Sequence, residues 1–339
     1  MVASMRTAVL RRIGEIVLEE RPVPVPGPGE VLVRVAAVGV CGSDVHYYEH
    51  GRIGDFVVEA PLVLGHEPSG EVVALGEGVT RLGRGTRVSI EPGRPDFTCP
   101  QCLAGRYNLC PRMEFFATPP VDGALAEYVV VHEAFAHPVP DSLDDDRAAL
   151  LEPLSVAVWA ARKGGVGAGS RVLVNGAGPI GLVATQVAVA AGAAKVVVAD
   201  VNAHRLEVAA RLGATATVDV SRSHLDGLEP EVLLECSGHP GATRAALEVL
   251  APAGRAVLVG SGSADLALPL GSLQRREIEL TATFRYANTW PTAIALAASG
   301  RVDLDALVTG HYGLADTEAA LTAPSRDRTA IKSVIRPGD

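Results

Sequence analysis

The chain has 339 residues, 48% of them hydrophobic and 20% charged, which is the balance of a globular protein with about two domains. Its formal net charge is −9, and it contains no long block of like charges. Both features argue against nucleic acid or an anionic membrane as a partner. The N-terminus lacks the apolar stretch of a secretory signal, so we expect a cytoplasmic protein.

Lysine is rare in this chain. Only three of the 30 basic residues are lysines, namely Lys163, Lys195 and Lys332. We interpret this preference for arginine as coding bias.

The first 150 residues contain short apolar segments between Gly and Pro clusters, a pattern typical of strands joined by turns. Strands are predicted at 30–37, 70–75 and 87–90. Few long helical patterns occur there, so we expect a β-rich, barrel-like domain.

Strands and helices alternate from about Arg171 onward. Strands are predicted at 171–175, 195–200, 215–220, 231–236 and 255–260, and helices from Pro179, at 204–212 and at 243–251. This alternation predicts a doubly wound parallel sheet. The uncharged run 172–194 is long enough to span a bilayer, but its polar residues and glycines indicate a buried strand and helix. The alternation ends near Thr283, and we expect the tail to rejoin the first domain.

A dinucleotide-binding turn is predicted between the first strand and helix of this region. Gly176, Gly178 and Gly181 form G-x-G-x-x-G in the strand–turn–helix context that the motif requires. The glycines allow a tight turn, close approach of a pyrophosphate to the backbone, and close packing of the helix on the strand. The helix N-terminus then offers unpaired N–H groups to the phosphates.

The cofactor is predicted to be NAD rather than NADP. Asp200 ends the next strand, where a carboxylate can accept hydrogen bonds from the ribose hydroxyls and would repel a 2′-phosphate. Arg205 blurs this choice, because a nearby arginine can help to bind the extra phosphate.

Two Gly-rich segments contain residue types that commonly bind metals. The first contains Cys41, Ser43, Asp44 and His46, and the second contains His66 and Glu67. A thiolate, an imidazole and carboxylates are ligands of catalytic zinc, which keeps one position open for water or substrate. Taken singly, Cys41 and His66 would more often be an ordinary buried cysteine and histidine. Their position among glycines favours the metal site.

A second cysteine group lies further along the chain. Three of the five cysteines are close together, at Cys99, Cys102 and Cys110. In a chain without an export signal, this spacing favours metal binding over a disulfide.

Several motifs together resemble the sorbitol (L-iditol) and xylitol dehydrogenases of the zinc-containing medium-chain dehydrogenase superfamily. They are CGSDVHYYEHGRIGDF (41–56), GHEPSGEV (65–72), GRYNLCP (105–111), FFATPPVDG (115–123), LLEPLSVAVWA (150–160) and FRYANTWP (284–291). The resemblance implies a GroES-like catalytic domain, residues 1–153 and 284–339, around a Rossmann NAD-binding domain, residues 154–283. It also implies a homotetramer that transfers a hydride from a secondary hydroxyl of a polyol to NAD, giving a ketose.

The resemblance assigns roles around the catalytic zinc. Cys41 and His66 match zinc ligands, and the third protein ligand is either Glu67 or Glu152. Asp44 matches a carboxylate that orients the metal-binding imidazole. Ser43 and His46 match a path that carries the substrate proton toward solvent by way of the nicotinamide ribose.

The resemblance also assigns the walls of the cofactor and substrate sites. The implied cofactor contacts are Gly176, Gly178, Pro179, Ile180, Gly181, Asp200, Arg205, Cys236, Val259, Gly260, Phe284 and Arg285. The implied substrate contacts are Tyr47, Ile53, Phe56, Phe116, Thr118, Glu152, Arg285 and Tyr286, with Phe115 as a further apolar wall. Polar side chains in such a pocket favour hydroxyl-rich substrates. For the aromatic residues, ordinary core packing explains the sequence equally well.

The second cysteine group departs from its family pattern. The usual structural zinc site reads C-x2-C-x2-C-x7-C, and here the first ligand is Asp96. A carboxylate is an acceptable zinc ligand, so we expect a structural zinc held by Asp96, Cys99, Cys102 and Cys110. The alternative is a lobe without metal and with reduced thiols.

Two other functions are weighed against this one. A sister zinc dehydrogenase acting on L-threonine or 2,3-butanediol would use the same catalytic residues. A non-catalytic NAD-binding protein has no need to keep Cys41, Ser43, His66 and Glu152, so the sequence disfavours it.

Overall fold

The computed structural model describes residues 4–262 and 265–339. The chain divides into two compact units, which are Met1–Glu152 with Val308–Asp339, and Pro153–Leu307.

The secondary structure changes character between the units. The chain begins with β1 (Ser4–Arg12), β2 (Glu15–Pro22), β3 (Glu30–Gly39), α1 (Gly42–His50), β4 (Arg52–Ile53), β5 (Phe56–Val57), β6 (Leu62–Val63), β7 (Glu67–Leu75), β8 (Arg87–Ile90), β9 (Gly93–Arg94), α2 (Pro100–Leu103), β10 (Glu114–Phe115), β11 (Tyr128–His132), β12 (Ala136–Pro138) and α3 (Asp145–Ala149). It continues with α4 (Leu151–Gly164), β13 (Arg171–Asn175), α5 (Pro179–Ala190), β14 (Lys195–Asp200), α6 (Ala203–Arg211), β15 (Ala216–Asp219), β16 (Val232–Glu235), α7 (Pro240–Glu248), β17 (Arg255–Leu258), α8 (Leu270–Arg275), β18 (Glu279–Ala282) and α9 (Trp290–Ala298). It ends with β19 (Val308–Gly313), α10 (Thr317–Arg326) and β20 (Lys332–Arg336).

A seven-stranded sheet forms the centre of the first unit, in the order β12-β8-β7-β3-β20-β19, with β11 paired to β3. Valines alternate along β3 and bury one face of it in the main core of this unit. This unit is β-rich, as the sequence predicts.

The C-terminal tail completes that sheet. β20 pairs antiparallel with β3 and parallel with β19. The Arg336 guanidinium also donates to the buried carboxylate of Asp146 at 2.8 Å. The tail thereby places Lys332, the first residue of β20, beside the end of β3.

The second unit contains a parallel sheet in the order β15-β14-β13-β16-β17-β18. This is the doubly wound arrangement that the sequence predicts, with the strand order reversing between β13 and β16. The run 172–194 forms β13 and α5, and among the described helices none has the length and apolarity needed to cross a membrane.

Several element boundaries differ from those predicted by a few residues, and the domain boundary differs by more. Helix α7 begins at Pro240 instead of Thr243, because the His239 side chain accepts the Ala242 N–H and proline suits the first helical position. The second unit extends to Leu307, so residues 284–307, assigned from the sequence to the catalytic domain, pack within it.

Burial of its side chains and contacts with residues far away in the sequence hold this segment in the second unit. The Trp290 side chain is fully buried there. The Gln186 amide donates to the carbonyl of Asp303 at 3.0 Å and accepts its N–H at 2.6 Å.

Candidate functional site

Cys41 lies between the end of β3 and the start of α1. Its backbone N–H donates to Asp44 Oδ2 at 3.0 Å, and its carbonyl accepts the Asp44 N–H at 3.1 Å. The first bond is a capping contact of a helix start, and the second closes the first turn of α1. They hold the Cys41 thiol in a defined place at the edge of the sheet.

Asp44 orients the imidazole of His66. The Asp44 carboxylate is buried, accepts the Gly65 N–H at 2.9 Å, and lies 3.4 Å from His66 Nδ1. The other ring nitrogen, Nε2, lies 3.5 Å from Ser43 Oγ. His66 therefore turns Nε2 toward the side where Ser43 lies, as a metal-binding histidine held by a carboxylate does.

Negative charge around His66 controls its protonation. Burial alone would lower the pKa of His66, but the charges and hydrogen bonds of Asp44 and Cys41 outweigh it and raise the pKa well above the ordinary value. Burial alone would raise the pKa of Asp44, but His66 and two backbone N–H groups lower it. The site thus attracts positive charge.

The ligand atoms of Cys41, His66 and Glu67, called here the Cys41 group, lie within 4.8 Å of one another. Glu67 begins β7 and is fully buried. The Lys332 ammonium lies 2.6 Å from its carboxylate and donates to the Val40 carbonyl at 2.8 Å. A carboxylate buried without an opposite charge would strongly destabilise the protein, and the Lys332 ammonium supplies that charge for Glu67.

Glu152 lies outside the Cys41 group but near it. It is buried in the first turn of α4. Burial alone would lower the pKa of Lys332, but Glu67, Cys41 and Glu152 outweigh it and raise the pKa above its ordinary value. Glu152 therefore acts on the same buried ammonium as Glu67.

Lys332 is the functional residue that sequence reasoning missed. It is one of the three lysines of the chain and lies in the largely buried strand β20. A lysine in a buried strand of an arginine-rich protein is the signal that could have identified it, and coding bias does not account for its buried ion pair with Glu67.

The other predicted residues of the first unit occupy varied surroundings. The His46 side chain is exposed, and the Phe115 ring lies 5.9 Å from that of His66. Tyr47 is buried in the core, Ile53 and Phe116 pack partly buried against it, and Phe56 is 40% exposed. Thr118 pairs with Val121 in an isolated bridge. The ring contact with His66 places Phe115 beside the Cys41 group.

The glycine-rich turn of the second unit has the predicted geometry. Gly176 has φ +96°, which favours glycine. A Cβ on Gly181 would lie 1.8 Å from the Gly176 carbonyl oxygen, so the third glycine lets the helix approach the strand. Gly178 caps α5 without a side chain, and Pro179 and Ile180 form its first turn. The helix N-terminus is left open to an anion.

Asp200 lies beside this turn. Its Oδ2 accepts the Ala177 N–H at 2.6 Å, and its Oδ1 accepts the Asn202 N–H at 2.8 Å. Arg205 lies in the first turn of α6, which Asn202 caps. The carboxylate is therefore fixed at the carboxyl ends of β13 and β14, where the adenosine ribose binds in this motif.

The remaining predicted cofactor residues lie at neighbouring strand ends. The Cys236 N–H donates to the Asn175 carbonyl at 2.8 Å, and the N–H groups of Val259 and Gly260 donate to the Glu235 carbonyl at 2.8 and 2.9 Å. Burial, with a smaller contribution from Glu235, raises the pKa of Cys236 far above its ordinary value, so it is a neutral thiol.

Residues 284–286 are placed by aromatic contacts. The Arg285 guanidinium stacks 4.7 Å above the Phe284 ring. The buried Tyr286 ring packs edge-on at 5.1 Å against Trp290. The Tyr286 ring is therefore part of the packed core of the second unit.

The ligand atoms of Asp96, Cys99, Cys102 and Cys110, called here the Asp96 lobe, also lie within 4.8 Å of one another. Asp96 Oδ1 accepts the N–H groups of Thr98 and Cys99 at 2.8 Å each, and its other oxygen pairs with Arg112. Burial raises the pKa of Cys102 to about 12, and the hydrogen bonds to Cys99 and Asp96 act in the same direction.

Comparison with known proteins gives concordant matches. The alcohol dehydrogenase GroES-like domain family matches residues 27–141, and the zinc-binding dehydrogenase family matches residues 179–299. Sorbitol dehydrogenase from Gallus gallus is 46% identical over 325 residues, 93% of this chain and 91% of that protein.

Two crystal structures are similar throughout. L-idonate 5-dehydrogenase from Escherichia coli has a TM-score of 0.93 at 32% identity, covering 99% of both chains. 2R,3R-butanediol dehydrogenase from Bacillus subtilis has a TM-score of 0.90 at 31% identity, covering 98% of this chain and 100% of that one.

Proposed function

The chain belongs to the zinc-binding dehydrogenase family, and from this premise we propose that it oxidises a secondary hydroxyl of a polyol to a ketone with NAD. The substrate is of the sorbitol, xylitol or L-iditol type, and the product is a ketose. The observation that carries the proposal is the Cys41 group, in which Asp44 orients His66 and Lys332 offsets the charge of Glu67.

The residues present fit a catalytic zinc. The buried carboxylates of Asp44, Glu67 and Glu152 and the Cys41 thiol outnumber the single buried ammonium of Lys332, so the cluster favours a divalent cation. Sulfur, nitrogen and oxygen are the donors zinc takes, with a fourth position open to substrate. When bound, zinc supplies Lewis-acid polarisation of the substrate oxygen.

We propose Glu67, rather than Glu152, as the third protein ligand. Its carboxylate oxygen lies with the Cys41 and His66 ligand atoms, while Lys332 offsets its charge. Glu152 then serves as a hydrogen-bonding wall of the substrate site, together with Tyr47 and Thr118.

The hydroxyl proton leaves through Ser43 and His46. Ser43 Oγ lies 3.5 Å from His66 Nε2, the ring nitrogen that would bind the zinc. His46 is exposed and can release the proton to water. Ser43 and His46 would thus give the hydroxyl proton a path to solvent.

NAD binds along the glycine-rich turn, with its pyrophosphate at the N-terminus of α5. Asp200 lies where it can accept the ribose hydroxyls and repel a 2′-phosphate. Cys236, Val259, Gly260, Phe284 and Arg285 line the cofactor. This assignment makes the first unit the catalytic domain and the second the nucleotide-binding domain.

Three further assignments accompany this function. The Asp96 lobe holds a structural zinc. The chain forms a homotetramer in the cytoplasm. Exposed apolar residues near the start of α8 (Leu268 and Leu270) and on the edge strand β18 (Leu280) support self-association. Light scattering at micromolar concentration tests the assembly, and a monomer would contradict it.

An NADH-absorbance screen tests the substrate class. Sorbitol, xylitol, L-iditol, ribitol, galactitol, 2,3-butanediol and L-threonine are compared, with Cys41→Ser as the inactive control. We expect the highest kcat/KM among the polyols. Strong turnover of butanediol or threonine with none of any polyol would contradict the polyol assignment and favour a sister enzyme.

A further inference from the structure

Helix α1 ends with His46-Tyr47-Tyr48-Glu49-His50. Residues four apart lie on the same face of a helix. Two histidines at this spacing, in H-E-x-x-H and H-x-x-E-H helices, are metal ligands in zinc enzymes. The end of α1 therefore has ligand spacing for a divalent metal, separate from the Cys41 group.

The two imidazoles converge in the structure. Their ring centroids lie 4.6 Å apart in an edge-on arrangement, and both side chains are exposed. Tyr47 and Tyr48 between them are buried, and the Tyr48 hydroxyl donates to Glu318 at 2.8 Å. The inner face of α1 is thus anchored, while the histidines on its outer face can turn toward a shared ion.

The surrounding charges favour a cation. Glu49 Oε2 lies 3.8 Å from His50 Nε2. The pair also lies at the C-terminal end of α1, which carries partial negative charge. The nearby Arg52 guanidinium donates to the Gly54 carbonyl at 2.8 Å, so its hydrogen bonding is directed to its own turn.

We propose that His46 and His50 form a second, exposed site for a divalent transition metal such as nickel, copper or zinc in excess, and that its occupancy inhibits turnover. Imidazole nitrogen suits these ions. A metal on His46 occupies the lone pair that accepts the substrate proton. The inhibition rests on the proposed function, whereas the binding does not.

Calorimetric titration of Ni²⁺ into the zinc-loaded enzyme tests the binding. The variants are His50→Gln, which removes one ligand, and His224→Gln, a control that removes another exposed histidine. We expect one additional Ni²⁺ per chain in the wild type and in His224→Gln. In His50→Gln, the Ni²⁺ affinity should fall at least about tenfold. Loss of a residue that only hydrogen-bonds a metal ligand already lowers metal affinity by about 10–100-fold, and His50 is itself a ligand. Equal Ni²⁺ affinity in His50→Gln and wild type would overturn the site.

NADH formation tests the inhibition on the same samples, with bound zinc counted before and after to detect exchange at the Cys41 group. Ni²⁺ should lower kcat of the wild type and of His224→Gln. His50→Gln should keep its basal rate and resist Ni²⁺. If Ni²⁺ binds through His50 yet leaves kcat unchanged, the site stands, but the inhibition and the proton role of His46 are overturned.

Discussion

The Cys41 group and the Asp96 lobe are both compact sets of metal-binding side chains, but they are built in opposite ways. The Cys41 group combines residues from the start of α1 and the start of β7 with Lys332 from the C-terminal strand. Its charges are buried and depend on one another. The Asp96 lobe comes from residues 96–110, around the short helix α2, and backbone N–H groups and Arg112 satisfy its carboxylate.

This difference predicts that substitutions in the two sites affect different properties of the protein. The Cys41 group exists only when the sheet of the first unit is complete, because β3, β7 and β20 bring its members together. The lobe needs only its own turns. Substitutions in the Cys41 group should therefore abolish turnover, and substitutions in the Asp96 lobe should lower the stability of the protein.

The largest contrast is expected between two cysteine substitutions. Cys41→Ser should lower kcat at least about 100-fold, because losing a ligand costs more than losing a group behind it, for which about 10–100-fold is usual. NAD affinity should change little, since the glycine-rich turn is in the other unit. Cys102→Ser is the matched control in the lobe and should retain most of its kcat. NADH rates and NAD titrations measure both, and equal loss of kcat in the two variants would contradict the division of roles.

The buried ion pair gives the next effect. In the metal-free protein, Lys332→Met should lower the stability by about 3–5 kcal/mol, because it leaves the Glu67 charge buried without its partner. The double variant Lys332→Met with Glu67→Gln should recover much of that stability but not the turnover. Chemical denaturation and zinc content distinguish the two losses. A fully active double variant would show that Glu67 is not a zinc ligand.

Cofactor choice should change by a smaller amount. Asp200→Ala should weaken NAD binding by roughly 1.5–3 kcal/mol, the range for a hydrogen bond to a charged group, and should relax discrimination against NADP. Asp200→Asn, which keeps an acceptor oxygen, should lose less affinity. A wild-type preference for NADP would show that Arg205 outweighs Asp200.

The smallest effect on catalysis is expected at Asp96. Asp96→Ala should lower the unfolding temperature and the zinc content while leaving the kcat of folded enzyme nearly unchanged. Asp96→Cys should tighten the site, since thiolate is a favoured zinc ligand. One zinc per chain in the wild type, unchanged by Asp96→Ala, would mean that the lobe holds no metal.

Local signals in the sequence predicted much of this molecule. The strands at 171–175 and 195–200, the glycine-rich turn between strand and helix, and the doubly wound class follow from patterns a few residues long. The motifs indicated the family, which the comparisons confirm. The spacing of Asp96, Cys99, Cys102 and Cys110 likewise predicted that they lie together.

Long-range contacts could not be predicted in the same way. The ion pair between Glu67 and Lys332 joins residues far apart in the sequence, and no local pattern links them. The extension of the second unit to Leu307 depends on the burial of Trp290 and on the Gln186–Asp303 contacts. For the same reason, the sequence left the choice between Glu67 and Glu152 open.

Zinc removal and replacement tests the central claim most directly. The protein is stripped of metal with a chelator, and polyol oxidation with NAD is followed by NADH absorbance before and after zinc is restored. The Cys41 group predicts that NADH formation stops while NAD still binds, and that zinc restores the rate in the wild type but not in Cys41→Ser. Full turnover in the metal-stripped protein would contradict the zinc-dependent mechanism.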